Sequence, residues 1–72
     1  MQTLEFNTTT KKVKVTEGKL LGSEILYEFN NVPTVRVDPI GFYEVVQGIG
    51  IDGARLPVAR FPISNTNMLI EK

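Results

Sequence analysis

Cysteine, histidine and tryptophan are all missing from this chain of 72 residues. Without cysteine there is no disulfide and no thiolate metal site. Without histidine, the commonest general base and the commonest transition-metal ligand are gone. Ser-His-Asp and Cys-His arrangements for nucleophilic catalysis are therefore out of reach. Eight carboxylates leave a paired-carboxylate site open in principle. No two of them form a close motif, and nearly all fall at outward positions of the strands read below. The expectation is a protein that is not an enzyme, with no catalytic residue, no metal site and no cofactor.

Long hydrophobic runs and net charge are lacking as well. No apolar stretch approaches the roughly 18 residues of a membrane span. Met1-Gln2-Thr3-Leu4-Glu5 has neither the basic region nor the apolar core of a signal peptide. A cytoplasmic protein without a membrane partner is expected. Eight basic and eight acidic residues cancel, which argues against a strongly electrostatic nucleic-acid binder. The charges are nonetheless segregated. Lys11, Lys12, Lys14 and Lys19 face only Glu17 over residues 11–19, whereas Glu24, Glu28, Asp38 and Glu44 face only Arg36 over residues 20–44. Such an asymmetry can orient one copy against another.

Residues 1–72 are expected to form one small domain. At this length a single core contributes only about 3–5 kcal/mol. Small chains usually add disulfides, a metal or a partner subunit. With disulfides and thiolate metal sites excluded, the expected extra stabiliser is oligomerisation, or else nothing.

What is present reads as strands. Thr34-Val35-Arg36-Val37-Asp38 alternates, with Val35 and Val37 on one face. Asp38-Pro39-Ile40-Gly41 fits a type I turn: Asp accepts at the first position, Pro presets φ at the second, and Gly suits the fourth. Phe42-Tyr43-Glu44-Val45-Val46-Gln47 follows, with Tyr43 and Val45 on one face and Phe42, Glu44 and Val46 on the other. Neither face is cleanly polar, which predicts a central strand or one with a second partner.

Upstream, Thr3 to Phe6 is a short strand with Leu4 and Phe6 inward, and Lys12 to Thr16 alternates strictly. Leu20 to Phe29 is ambiguous. Leu21, Ile25 and Phe29 recur at helical spacing, but Ile25, Tyr27 and Phe29 also alternate with Glu24, Leu26 and Glu28. Gly22 disfavours a helix by roughly 1 kcal/mol, and Ser23 lacks a capping-box acid. Strand is favoured, with one short helix within 20–29 as the competing reading.

Downstream, Gly48-Ile49-Gly50-Ile51-Asp52-Gly53 matches the spacing of GxGxxG. A dinucleotide fingerprint must open a helix, and the β-like stretch Ala54 to Ile63 follows instead, so the segment reads as a connecting loop. Pro57 and Pro62 place that next strand at an edge, or make it bulged or split. In unbroken alternation Pro57, Ala59, Phe61 and Ile63 share one side, and Leu56, Val58 and Pro62 the other. Met68-Leu69-Ile70 is a last strand, and pairing it near the first would close a barrel. The expected fold is an all-β, five- to six-stranded antiparallel, partly open barrel, SH3-like, Sm-like or OB-like by architecture only, or a small sandwich.

Two functions follow from these patterns. The first is a non-enzymatic interaction module that forms a homo-oligomer and presents the loops 17–24 and 48–53 to a protein partner. Apolar residues exceed what one small core can use, and Phe42, Tyr43, Val46, Leu56, Val58 and Phe61 are the candidate interface residues. The second is a single-stranded nucleic-acid binder. Lys11, Lys12, Lys14 and Lys19, with Arg36, Arg55 and Arg60, would track the phosphates, and exposed aromatics would stack on bases. Against it, lysines on the outward face of a strand also guard an edge from aggregation. A small ligand held between subunits by the glycine loop and Arg55 or Arg60 is a third, weaker reading.

Overall fold

The computed structural model describes residues 1–19, 22–49 and 55–72. Among these, seven strands run in chain order: β1 (Gln2–Asn7), β2 (Lys12–Lys19), β3 (Gly22–Phe29), β4 (Thr34–Asp38), β5 (Phe42–Ile49), β6 (Arg55–Pro62) and β7 (Thr66–Glu71). One 3-10 turn, Ile63–Asn65, separates the last two. The strands form two open sheets, ordered β3-β2-β1-β7 and β4-β5-β6.

The small all-β domain matches expectation, but three features correct it. Residues 22–29 are strand throughout, so the short helix within 20–29 is not formed. There are seven strands rather than five or six. The pairing is not wholly antiparallel, because β7 lies parallel to β1, with Leu4 opposite Met68 and Phe6 opposite Ile70. A parallel pair needs a long crossover, and here β2 and β3 of the first sheet and the whole second sheet lie between the two strands. The last strand thus reaches the first without sealing the structure. The first sheet ends at β3 and β7, and no closed barrel forms among the described residues.

Alternation decides what is buried. Leu4 and Phe6 from β1 meet Val13 and Val15 from β2, and Val45 and Phe61 contribute from the second sheet. Val32 joins them from the link between the sheets, and Phe29, Val35, Tyr43, Ala59 and Met68 pack against this cluster. The Tyr27 ring lies 5.8 Å from Phe61 and 6.3 Å from Phe29, joining β3 to β6 across the sheets.

The turns are specified locally. Between β1 and β2 the Asn7 side-chain oxygen accepts the Thr9 and Thr10 N–H groups at 2.9 and 3.0 Å. Lys11 closes that turn at φ 59°, and its carbonyl accepts the Val32 N–H at 2.8 Å, tethering the link that carries Val32 into the core. The β4–β5 turn forms as its sequence predicts. Asp38 accepts the Gly41 N–H on its carbonyl and the Ile40 N–H on its side chain, both at 2.9 Å. Gly41 at φ 115° completes a three-residue loop.

Bulges reassign faces in two strands. Val15 pairs with Tyr27 but Thr16 with Ile25, so Leu26 is the extra residue. Ile25 therefore turns away from the face that Tyr27 and Phe29 occupy. In β6, Val45 pairs with Ala59 but Val46 with Pro57. Val58 is extra there, and Pro57 moves to the face opposite Ala59 and Phe61. Unbroken alternation had placed Pro57 with them; one inserted residue inverts the parity.

One buried group is left unpaired. The Thr66 hydroxyl has no hydrogen-bond partner among the described residues, and Thr66 is buried at the start of β7. An unsatisfied buried hydroxyl costs about 1–3 kcal/mol. Thr66→Val keeps the shape and removes that group. It is expected to add about 1 kcal/mol and raise Tm by about 4–8 °C, read by thermal unfolding followed by circular dichroism. An unchanged or lower Tm would show that the hydroxyl is satisfied after all.

Candidate functional site

The face of the second sheet turned away from the core holds a polar cluster built around a buried carboxylate. Register places three rows across its strands: Thr34, Val46 and Pro57; Arg36, Glu44 and Arg60; Asp38, Phe42 and Pro62. In the middle row, Glu44 on the central strand lies between two arginines on the edge strands. Arg36 Nε and a terminal nitrogen both lie 2.8 Å from Glu44 Oε1. Arg60 Nε donates to Oε2 at 2.9 Å. The Glu44 side chain is 3% exposed, against 45% for Arg36 and 57% for Arg60. The carboxylate is thus the buried partner, and each guanidinium remains accessible with donors to spare.

A shallow depression of about 350 Å³ opens beside this triad, lined by Arg36, Glu44, Val46, Pro57 and Arg60. It lies toward the Val46–Pro57 row. Asp38, in the row on the other side of the triad, does not line it, and its carboxylate is engaged within its own turn. Among the described residues no three potential ligand groups gather where a metal ion could be held.

The lysine segment has a different setting. Lys12 and Lys14 are exposed on the outer face of β2, and Lys11 is exposed in the turn before it. Glu5 and Glu28 flank Lys14 in register, and Asn7 lies between Lys12 and Glu71. Acids and bases alternate there rather than forming one basic track. The side chains of Lys19, Arg55 and Leu56, and the loop residues 50–54, lie outside the described residues.

The candidate interface residues are scattered. Phe61 and Val46 are buried, on opposite faces of the second sheet. Tyr43 packs against the core, Phe42 is half-buried, and Val58 is exposed at its bulge. Other large apolar side chains reach solvent instead: Ile25, Tyr27, Val37, Ile40, Leu69 and Ile70. Val37 shares the inner face with Val35, opposite Tyr43, but on the edge strand β4 it is exposed.

Edges decide which of these residues is available for pairing. β6 carries Pro57 and Pro62, which cannot donate to a new ladder. β4 is five residues long with Pro33 and Pro39 at its ends. β3 carries a bulge and the charged Glu24 and Glu28. β7 has no proline and no bulge, and its one charge, Glu71, is its last residue. The strand is six residues in regular register, with Leu69 49% and Ile70 62% exposed on its two faces.

Compared with known proteins, the chain matches no protein family, no curated protein and no solved structure. Function is therefore argued from these surfaces alone.

Proposed function

We propose that this chain is a non-enzymatic interaction module that self-associates through the free edge of β7. One observation carries the reading: among the described residues, β7 is an edge strand with no proline and no bulge that exposes Leu69 on one face and Ile70 on the other, its single charge, Glu71, at its end. Two copies pair antiparallel about a two-fold axis normal to the sheet. Residues on one face must then meet residues on the same face. Centring the pair on Leu69 sets Leu69 against Leu69 and Ile70 against Met68, with Glu71 against Asn67. No like charges oppose, and the contact is self-complementary, as closed dimers require. The module differs from a partly open barrel in that two open sheets share one core and leave an edge to pair. The surfaces it offers to a protein partner are residues 17–24 and 48–53; of these, 17–19, 22–24 and 48–49 are the ends of β2, β3 and β5, and the rest lie outside the described residues.

Sedimentation across micromolar to millimolar concentrations tests this. A concentration-dependent dimer is expected. Leu69→Lys brings two ammonium groups together at the centre and abolishes it, and an equal mixture of Leu69→Lys and Leu69→Glu restores a mixed dimer. A wild-type monomer at every concentration would remove the proposal. So would a dimer that Leu69→Lys leaves intact.

The single-stranded nucleic-acid reading draws less support, because carboxylates flank Lys14 and Phe61 is buried. It requires salt-sensitive retardation of labelled oligonucleotides that depends on Lys12 and Lys14.

A further inference from the structure

We infer that the depression beside the Arg36–Glu44–Arg60 triad is a binding site for a small molecule that carries one oxyanion, a carboxylate or a phosphomonoester, on a compact apolar body. This does not rest on self-association, since it uses the outer face of the second sheet rather than the β7 edge.

Four features support it. First, one arginine suffices to neutralise Glu44, yet two contact it, and the triad carries one net positive charge. Second, the two arginines use only part of their donor sets on Glu44. A guanidinium presents five N–H groups in a planar fork, and those left over suit a planar carboxylate or a phosphate edge. Third, the Glu44 contacts hold both guanidinium groups in place before any ligand arrives, which reduces the ordering cost of binding. Fourth, Val46 and Pro57 give the depression an apolar side, and its volume of about 350 Å³ exceeds what a bare ion fills. Glu44 also lines the depression, but each of its oxygens is engaged by an arginine, so the groups with free valence toward a ligand are donors.

The site is open, so binding is expected to be weak, with a dissociation constant on the order of 1 mM. The test is a titration of the intact protein with benzoate, phenyl phosphate and inorganic phosphate, followed by nitrogen-edited NMR of the arginine Nε–H signals and the Val46 amide. Benzoate or phenyl phosphate is expected to shift Arg36, Arg60 and Val46 together, with inorganic phosphate binding more weakly. Which of the two organic anions binds more tightly identifies the oxyanion. The double variant Arg36→Lys/Arg60→Lys keeps Glu44 compensated and the charge unchanged but loses both forks. Its affinity should fall about tenfold. Lys14→Gln should leave affinity unchanged. The inference is overturned if none of the three anions moves these signals, or if the lysine variant binds as tightly as the wild type. It is also overturned if the shifts centre on Lys12 and Lys14, or if only an oligonucleotide produces them.

Discussion

Leu4→Ala is expected to leave much of the chain unfolded at 25 °C. Leu4 is fully buried on β1, an inner strand of the four-stranded sheet. It lies between Val15 on β2 and Met68 on β7, so one side chain serves three strands. Truncating a buried leucine to alanine costs about 2–5 kcal/mol, from lost transfer free energy and the residual cavity. A domain of this size holds only about 3–5 kcal/mol in total, and with no cysteine no disulfide supplements it. Urea unfolding followed by far-ultraviolet circular dichroism measures the loss. The proper control is Leu69→Ala on β7, which is half exposed and should change protomer stability by no more than about 0.5 kcal/mol at concentrations where the chain is monomeric. Similar midpoints for the two variants would mean that the core is not where the buried residues indicate.

Removing both arginines of the triad should destabilise far more than removing the glutamate. In Arg36→Met/Arg60→Met the Glu44 carboxylate stays at 3% side-chain exposure with no counter-charge. Leaving a buried charge uncompensated costs about 3–5 kcal/mol. In Glu44→Leu the arginines, 45% and 57% exposed, can turn to water, and the loss is expected at about 1 kcal/mol. The triple variant Arg36→Met/Glu44→Leu/Arg60→Met should recover most of the loss, because apolar replacement of a buried ionic cluster is often neutral or stabilising. Urea midpoints of the four proteins rank these cases. A triple variant no more stable than the double one would show that the triad, rather than apolar packing, holds the outer face. Recovery would leave ligand binding as the stronger reason for having two arginines where one would neutralise.

Some of this site was legible in the residues. The Asp38-Pro39-Ile40-Gly41 turn fixes the hairpin register, and that register sets Arg36 opposite Glu44. Arg60 was not within reach of the same logic. Its alignment with Glu44 depends on how β6 returns along β5, where an extra residue at Val58 on β6 and another at Gln47 on β5 shift the register in opposite senses and cancel. The burial of Glu44 was missed for a related reason. Alternation assigns it an outward position correctly, but outward residues are exposed only when nothing lies over them, and here two long side chains from neighbouring strands do.

The apolar surplus was visible in the sequence, whereas its location was not. Phe61 and Val46 are buried, while Leu69 and Ile70 stay exposed because β7 enters the sheet at its edge. The sequence by itself determined the lack of thiol and imidazole groups, the β class, the turn at Asp38–Gly41 and the inward faces of β1 and β2. Each of these rests on residue type or on the two-residue period, both local. Only the tertiary structure decided the parallel β1–β7 pair, the faces beyond each bulge, the arginine on either side of Glu44 and the edge left free. Those depend on which distant strands meet and in what register, and a single inserted residue inverts the side chains between it and the next register shift.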